Sequence, residues 1–265
     1  MTQQEALTIL KTGNNVFLTG SAGSGKTYVL NQYITFLKEH EVEVAVTAST
    51  GIAATHMHGM TIHSWSGIGI KDTLSSYEID ALEQKPYLWK RYEKTKVLII
   101  DEVSMLSGTF LDTLNQVCQS FKRSDKPFGG IQIVLCGDLF QLPPVVRGGQ
   151  DPVFVTDSQS WRGMELVVCY LHEQFRQNDE SFISLLNAIR DGVVDNEHRS
   201  LLDTRMFEDM DGLDHVTKLF THNVDVDGIN THALGLIDSV EKICIMTSRG
   251  KDVLVDILKK SCLAP

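Results

Sequence analysis

No apolar run in this 265-residue chain approaches the roughly 18 residues of a membrane span, so no spanning helix is expected. The opening stretch, MTQQEALTILKTG, lacks a basic segment followed by a long apolar one, and no secretory signal is read there. Five cysteines (Cys118, Cys136, Cys169, Cys244 and Cys262) stand far apart with no CxxC pair, a pattern that favours buried, reduced thiols in a cytosolic protein. There is no Asn-Lys pair, and with it goes the NKxD-type guanine reader of a GTPase. His56, His58 and His63 cluster in sequence, but no nearby Cys or carboxylate completes a set of zinc ligands. Cations are also short: 24 Lys and Arg stand against 34 Asp and Glu, a net charge of −10 that taken alone argues against a nucleic-acid binder. The deficit is uneven. Residues 1–150 hold 13 basic and 14 acidic side chains, so the acidity lies in the second half, in stretches such as FEDMDGLD (residues 207–214) that read as solvated loop.

What is present is an alternation of short apolar runs and helical patterns. Residues 16–19, 42–47, 97–100, 131–136 and 166–171 are rich in Val, Ile and Leu with little polar alternation, as in strands buried on both faces of a parallel sheet. Between them Val29, Tyr33 and Leu37 recur at helical spacing, as do Phe110, Leu114, Val117 and Phe121. KPFGG (residues 126–130) breaks a helix before a strand, and Phe182, Leu185, Leu186 and Ile189 form a further helical pattern closing at Gly192. The expected class is α/β, a parallel sheet flanked by helices. A domain boundary is expected near residue 165.

The chemistry begins at GSAGSGKT. Gly20, Ser21, Ala22, Gly23, Ser24, Gly25, Lys26 and Thr27 have the spacing of a phosphate-binding loop between a strand and a helix. Successive N–H groups curl round phosphate oxygens there, Lys26 reaches the β- and γ-phosphates, and the Thr27 hydroxyl ligates Mg²⁺. VLIIDEVSM places two carboxylates at the end of a buried strand, a costly position for two charges without a cation nearby. Asp101 is read as the second Mg²⁺ ligand, and Glu102 as the group that orients or deprotonates an attacking water. One of the two as a helix cap is the plainer alternative, although Ser104 serves that purpose equally well. IVLCGDLFQLPPV ends a third strand with Gln141, either a surface amide or a sensor of the γ-phosphate; Pro143 and Pro144 stiffen the backbone behind it and favour the sensor. VTASTGIAATHMHGMTIHSW (residues 46–65) is poor in charge and rich in hydroxyls and small residues, a surface suited to nucleic-acid backbone.

Taken in order, GSAGSGKT, TASTGIAA, GMTIHSW, VLIIDEVSM, KPFGGIQIVLCGDLFQLPPV, LHEQFRQ and FISLLNAIRDG resemble the N-terminal part of a superfamily-1 DNA helicase of the petite-integration-frequency type, related to the RecD helicases. The resemblance implies a RecA-like lobe over residues 1–165, with a small wedge insertion at about 67–96, and the start of a second motor lobe over 166–265. It implies an ATP-dependent helicase of 5′ to 3′ polarity that uses ATP and Mg²⁺, binds single-stranded DNA and duplex junctions, acts as a monomer away from membranes, and serves DNA repair, recombination and telomere maintenance. The compartment it suggests is the bacterial cytosol or nucleoid, with nucleus or mitochondrion open. Gln4 resembles the glutamine that reads adenine, and Arg176 the arginine that crosses from the second lobe to the γ-phosphate. Thr50, Gly51, Thr61 and His63 match motifs that contact single-stranded DNA. In the wedge, Lys85, Lys90, Arg91, Lys94 and Lys96 interleave with Trp89 and Tyr92, as either a strand-binding surface or a solvated helix. Two later motifs of such helicases, an SQG and an ALSR stretch, are not found, so a fragment weak at unwinding is expected. The alternative is another phosphate-loop NTPase, a kinase or nucleotide switch not acting on DNA.

Overall fold

In a computed structural model, residues 1–145, 151–206, 217, 219–220, 223–239 and 242 are described. The acidic run at 207–214, Cys244 and Cys262 lie outside them. The chain divides into two compact units, residues 1–198 and 199–265.

The first unit is built on a six-stranded sheet, parallel at every pairing, in the order β3-β2-β4-β5-β1-β6. The strands are β1 (Val16–Gly20), β2 (Val44–Ala48), β3 (Met60–Thr61), β4 (Val97–Asp101), β5 (Gln132–Cys136) and β6 (Val167–Leu171). The helices are α1 (Gln3–Leu10), α2 (Lys26–Glu39), α3 (Gly51–His56), α4 (Ile62–Ser66), α5 (Ser76–Glu83), α6 (Pro86–Lys94), α7 (Gly108–Lys122), α8 (Gln159–Gly163), α9 (Glu180–Asp191), α10 (Asn196–Asp203) and α11 (Asn223–Gly235). The second unit holds α11 and the end of α10.

The lack of polar alternation in β1 and β4 has its reason here: both are buried along their whole length, covered on each face. Successive side chains of a strand point to opposite sides. Phe17, Leu98, Ile100, Ile133 and Leu135 therefore meet α7, where Phe110, Leu114, Val117 and Phe121 form the buried stripe. Val16, Leu18, Ile99, Val134 and Cys136 meet α1 and α2, where Ala6, Leu10, Val29, Tyr33 and Leu37 are buried. Helix α7 ends at Lys122 because Arg123 takes a left-handed conformation, ahead of the KPFGG stretch, whose Phe128 is fully buried in a short 3-10 turn.

Two expectations are corrected. The boundary near residue 165 falls instead after His198, because β6 pairs with β1 from Val16↔Val167 to Gly20↔Leu171 and completes the first unit's sheet. Trp89 and Tyr92, the two rings interleaved with the wedge cations, pack inward. Tyr92 is fully buried, stacks on Phe121 at 4.3 Å and donates to the Ser66 carbonyl, while the Trp89 indole donates to the Glu83 carbonyl. Rings that carry α6 into the α7 core leave Lys85, Lys90, Lys94 and Lys96 as the exposed cations of that segment.

A version ending at His198 is expected to unfold in one transition near the melting temperature of the first unit, and a version ending at residue 165 several degrees lower, since it strips the partner from β1. Thermal unfolding followed by circular dichroism checks this. Equal melting temperatures would return the boundary to 165.

Candidate active site

The order of the sheet assembles the site. β1, β5 and β4 lie side by side and point the same way, so the segments that follow them emerge together at one end. Such carboxyl ends are where open parallel sheets bind ligands. After β1 comes the loop from Gly20 to Thr27, after β4 the pair Asp101 and Glu102, and after β5 the turn carrying Asp138 and Gln141. A pocket of about 450 Å³ is lined by Ala22, Gly23, Gly25, Lys26 and Thr27 of the loop with Glu102, Gln141, Phe175 and Arg176.

The loop's local chemistry is that of an anion site. Helices α3, α4, α7, α8 and α9 are each capped by a side chain, from Thr50, Thr61, Ser107, Ser158 and Asp179. Helix α2 follows Gly25, a cap residue with φ +85° and no side chain to cap the first turn. Its first-turn N–H groups have no intrahelical partners. Lys26, a cation at the positive end of a helix, is the reverse of what the macrodipole favours. Its ammonium donates to the loop's own Gly20 and Ser21 carbonyls, at 2.8 and 3.1 Å. The Ser24 hydroxyl is buried without a partner among the described residues. An anion in this cradle would satisfy the free N–H groups and the ammonium together, so these residues fit a bound phosphate.

The segment after β6 packs onto the loop. The Phe175 N–H donates to the Gly23 carbonyl and the Gln174 amide to the Ser21 hydroxyl. A Cβ on Gly23 would sit 2.6 Å from the Arg176 Cβ, so only glycine allows the approach. Arg176, expected from a second lobe, belongs to the first unit and reaches the pocket from this adjacent segment. Of the two neighbouring glutamines, Gln3 rather than Gln4 is set against the loop. Gln4 is exposed, whereas Gln3 donates to the Ser24 carbonyl. The signal was legible: Thr2 and Glu5 form a capping box, which starts α1 at Gln3 and turns that side chain toward the loop.

Asp101 is buried and accepts from the Glu102 N–H. Glu102 holds a left-handed conformation (φ 53°, ψ 45°), uncommon for a residue with a side chain, and its carbonyl accepts from Ser49 at 2.7 Å. Burial first, then the neighbouring Asp101, raises the Glu102 carboxyl above its ordinary value against the pull of Lys26.

Asp138 and Arg190 are functional candidates that the sequence reading passed over. Asp138 Oδ2 accepts from Arg190 Nη1 at 2.7 Å and from Gln141 Nε2 at 3.2 Å. Burial pushes this carboxyl up, but hydrogen bonds from Arg190, the Phe140 N–H and Gln141 outweigh it and hold it below its ordinary value. The signal available was a carboxylate two residues past the buried apolar run Ile133–Cys136.

The four residues matched to DNA contacts lie at and beyond the carboxyl ends of β2 and β3, where Ala48 pairs with Thr61. Thr50 and Thr61 cap α3 and α4, Gly51 is exposed, and His63 packs on Phe110 with ring centroids 4.4 Å apart. Burial lowers the His63 pKa.

Comparison with known proteins follows the same lines. The sequence model of the PIF1-like helicase family matches residues 3–200. The chain is 49% identical to the ATP-dependent DNA helicase Pif1 of Psychrobacter sp. (strain PRwf-1), over 98% of this chain and 41% of that protein. Among solved structures it resembles the Pif1 helicase from Candida albicans, with a TM-score of 0.80 and 33% identity over 99% of this chain and 61% of that one. It also resembles the Pif1 helicase from Bacteroides in complex with ADP-AlF3 and ssDNA, with a TM-score of 0.73 and 32% identity over 90% and 57%. The chain thus spans about two fifths of the length of the curated relatives it matches.

Replacing Gln3 by Ala should weaken adenine-nucleotide affinity roughly tenfold, the worth of about one hydrogen bond to the loop, while Gln4→Ala stays within twofold; titration with a fluorescent ATP analogue reads both. For Asp138 the sign follows from its depressed folded-state value. Its contribution is full above the ordinary carboxylate pKa of about 3.9 and fades as pH falls through the lower folded value. The stability gap between the unaltered chain and Asp138→Asn should therefore narrow below about pH 4, measured by urea unfolding from pH 7 to 3.

Proposed function

The chain belongs to the PIF1-like helicase family, and from that premise we propose that it is the ATP-hydrolysing motor portion of a 5′ to 3′ DNA helicase, stimulated by single-stranded DNA bound along the rim of the sheet. The observation that carries this is the convergence of Lys26, Glu102, Gln141 and Arg176 on one pocket at the uncapped start of α2.

In this reading the free N–H groups of α2 and the Lys26 ammonium exchange the loop's own carbonyls for phosphate oxygens, and Gln3 stands on the adenine side. Glu102 accepts a proton from the attacking water as its oxygen bonds to the γ-phosphorus and the bond to the ADP oxygen breaks. A carboxyl raised by burial is the better base for that step near neutral pH. Gln141 senses the γ-phosphate, and Arg176 offsets the charge that builds on it; such arginines are worth roughly 10³–10⁵ in rate elsewhere. Thr27 and Asp101 would hold Mg²⁺, which when bound neutralises charge on the phosphate oxygens. The fit of Asp101 rests on a buried carboxylate beside the loop with no basic side chain bonded to it among the described residues.

Thr50, Gly51, Thr61 and His63 form the proposed contact with single-stranded DNA, where backbone and hydroxyl groups outnumber charges. Among the described residues no helix is long and apolar enough to cross a membrane. That the relatives are ATP-dependent DNA helicases supports the whole-protein activity, and ADP-AlF3 with ssDNA in one neighbour supports the paired ligands.

Lys26→Ala should reduce ATP turnover at least about 100-fold, the scale of losing one transition-state charge contact, and single-stranded DNA should stimulate the unaltered chain but not this variant. A coupled assay of ADP release, with and without oligonucleotide at increasing salt, tests it. Unchanged turnover in Lys26→Ala, or no response to DNA at any salt, would remove the motor reading.

A further inference from the structure

Helix α9 is held to the first unit by little apolar contact. Only Leu185 and Ala188 are buried, while Phe182, Leu186 and Ile189 stay exposed. Its specific tie is Arg190. That guanidinium bonds the Asp138 carboxylate, lies over the Phe140 ring at 4.3 Å from its centroid, and also meets Tyr170 of β6. Asp138 is only 3% exposed and Arg190 15%, so water screens the pair weakly. The same Asp138 oxygen accepts hydrogen bonds from the Arg190 guanidinium and from the Gln141 side-chain amide, and the Gln141 backbone N–H donates to the Asp138 carbonyl at 2.9 Å. Gln141 itself is exposed and lines the pocket, so nothing but this carboxylate fixes its side chain among the described residues.

We propose that Arg190 is a positioning residue for hydrolysis: through the buried Asp138 carboxylate it sets the orientation of the Gln141 amide at the nucleotide pocket, so that the seating of α9 is read at the γ-phosphate end of the site. The proposal rests on the motor reading for its catalytic consequence, but not for the network itself. Two features make the coupling direct. The carboxylate shares one oxygen between both donors, so a shift of the guanidinium changes the field and position felt by the amide. The helix carrying the guanidinium has a small apolar anchor, so its seating depends on that same bond. A group misplaced by about 1 Å can cost roughly 100-fold in rate.

The test uses the 265-residue chain with Arg190→Ala, Arg190→Lys, Gln141→Ala and the double variant Arg190→Ala/Gln141→Ala. Turnover of ATP, affinity for a fluorescent ATP analogue and melting temperature are measured on each. Arg190→Ala should lower kcat about 10- to 100-fold with nucleotide affinity within threefold, and Arg190→Lys should recover most of the loss because a single hydrogen bond and a charge are restored. In the Gln141→Ala background, removing Arg190 should cost less than twofold more, the non-additivity of two residues acting through one contact. Full additivity, or a rate loss in Arg190→Ala that simply follows nucleotide affinity and melting temperature, would overturn the proposal and leave the pair as a helix anchor. Should Arg190→Ala fail to fold, Arg190→Gln, which keeps the stem over Phe140 and loses the charge, carries the same comparison. The Gln141 side-chain amide, followed by ¹⁵N NMR, judges the network without turnover: it should shift and lose exchange protection in Arg190→Ala, and an unmoved resonance overturns the proposal. If the unaltered chain hydrolyses no ATP, the motor reading falls, and this spectroscopic result still decides the role of Arg190.

Discussion

A helix start with no cap and a lysine at its first position is the constraint on which the rest of the site depends. Seven other helices of the first unit spend a hydroxyl or carboxylate on their first turn; α2 spends a glycine. Free N–H groups, the positive end of the dipole and the Lys26 ammonium then all face one small volume, and their mutual repulsion is relieved only by an anion or, in its place, by the loop's own carbonyls. The glycines give the loop room: at Gly23 the segment carrying Gln174 and Arg176 comes too close for a side chain.

Around that volume, charge is placed in positions that cost stability. Glu102 sits in a left-handed backbone conformation with its carboxyl raised by burial and by Asp101. Strain of this kind costs of order 1–3 kcal/mol and persists where surrounding structure over-determines it; here the Ser49 hydroxyl and the Met105 N–H both hold the Glu102 carbonyl. Asp138 is the opposite case. It is more deeply buried, yet three donors compensate the burial and keep it ionised. Two carboxylates at the ends of neighbouring strands are thus driven in opposite directions by environment, one toward accepting a proton and one toward holding a fixed charge.

The same compensation ties distant parts of the chain together. Asp138 follows β5, Arg190 lies on α9, and Gln174 follows β6, yet their partners are all at or beside the phosphate loop. These polar contacts do what the apolar core does not: α9 contributes two buried side chains, whereas α7 contributes a full stripe. The peripheral helix is therefore seated by electrostatics at the site, and the central ones by packing.

Local pattern alone sets the class of the fold and the chemistry of the loop. Apolar runs without alternation demand strands covered on both faces, and Gly20-x-x-x-x-Gly25-Lys26-Thr27 has few physical uses besides holding phosphate. Strand limits were legible to within a residue or two for that reason, while the two-residue β3 was not, because too few side chains carry a period. Which residues meet depends on pairing in three dimensions. Parallel pairing in the order β4-β5-β1-β6 brings Glu102, Gln141, Lys26 and Arg176 to one end of the sheet although they are spread over 150 positions of chain, residues 26 to 176. It also carried the first unit past residue 165 to His198, set Gln3 against the loop while Gln4 stays exposed, and buried Tyr92. In each case the deciding fact was which neighbour a side chain or strand found across the sheet or helix, and local periodicity carries no record of such a neighbour.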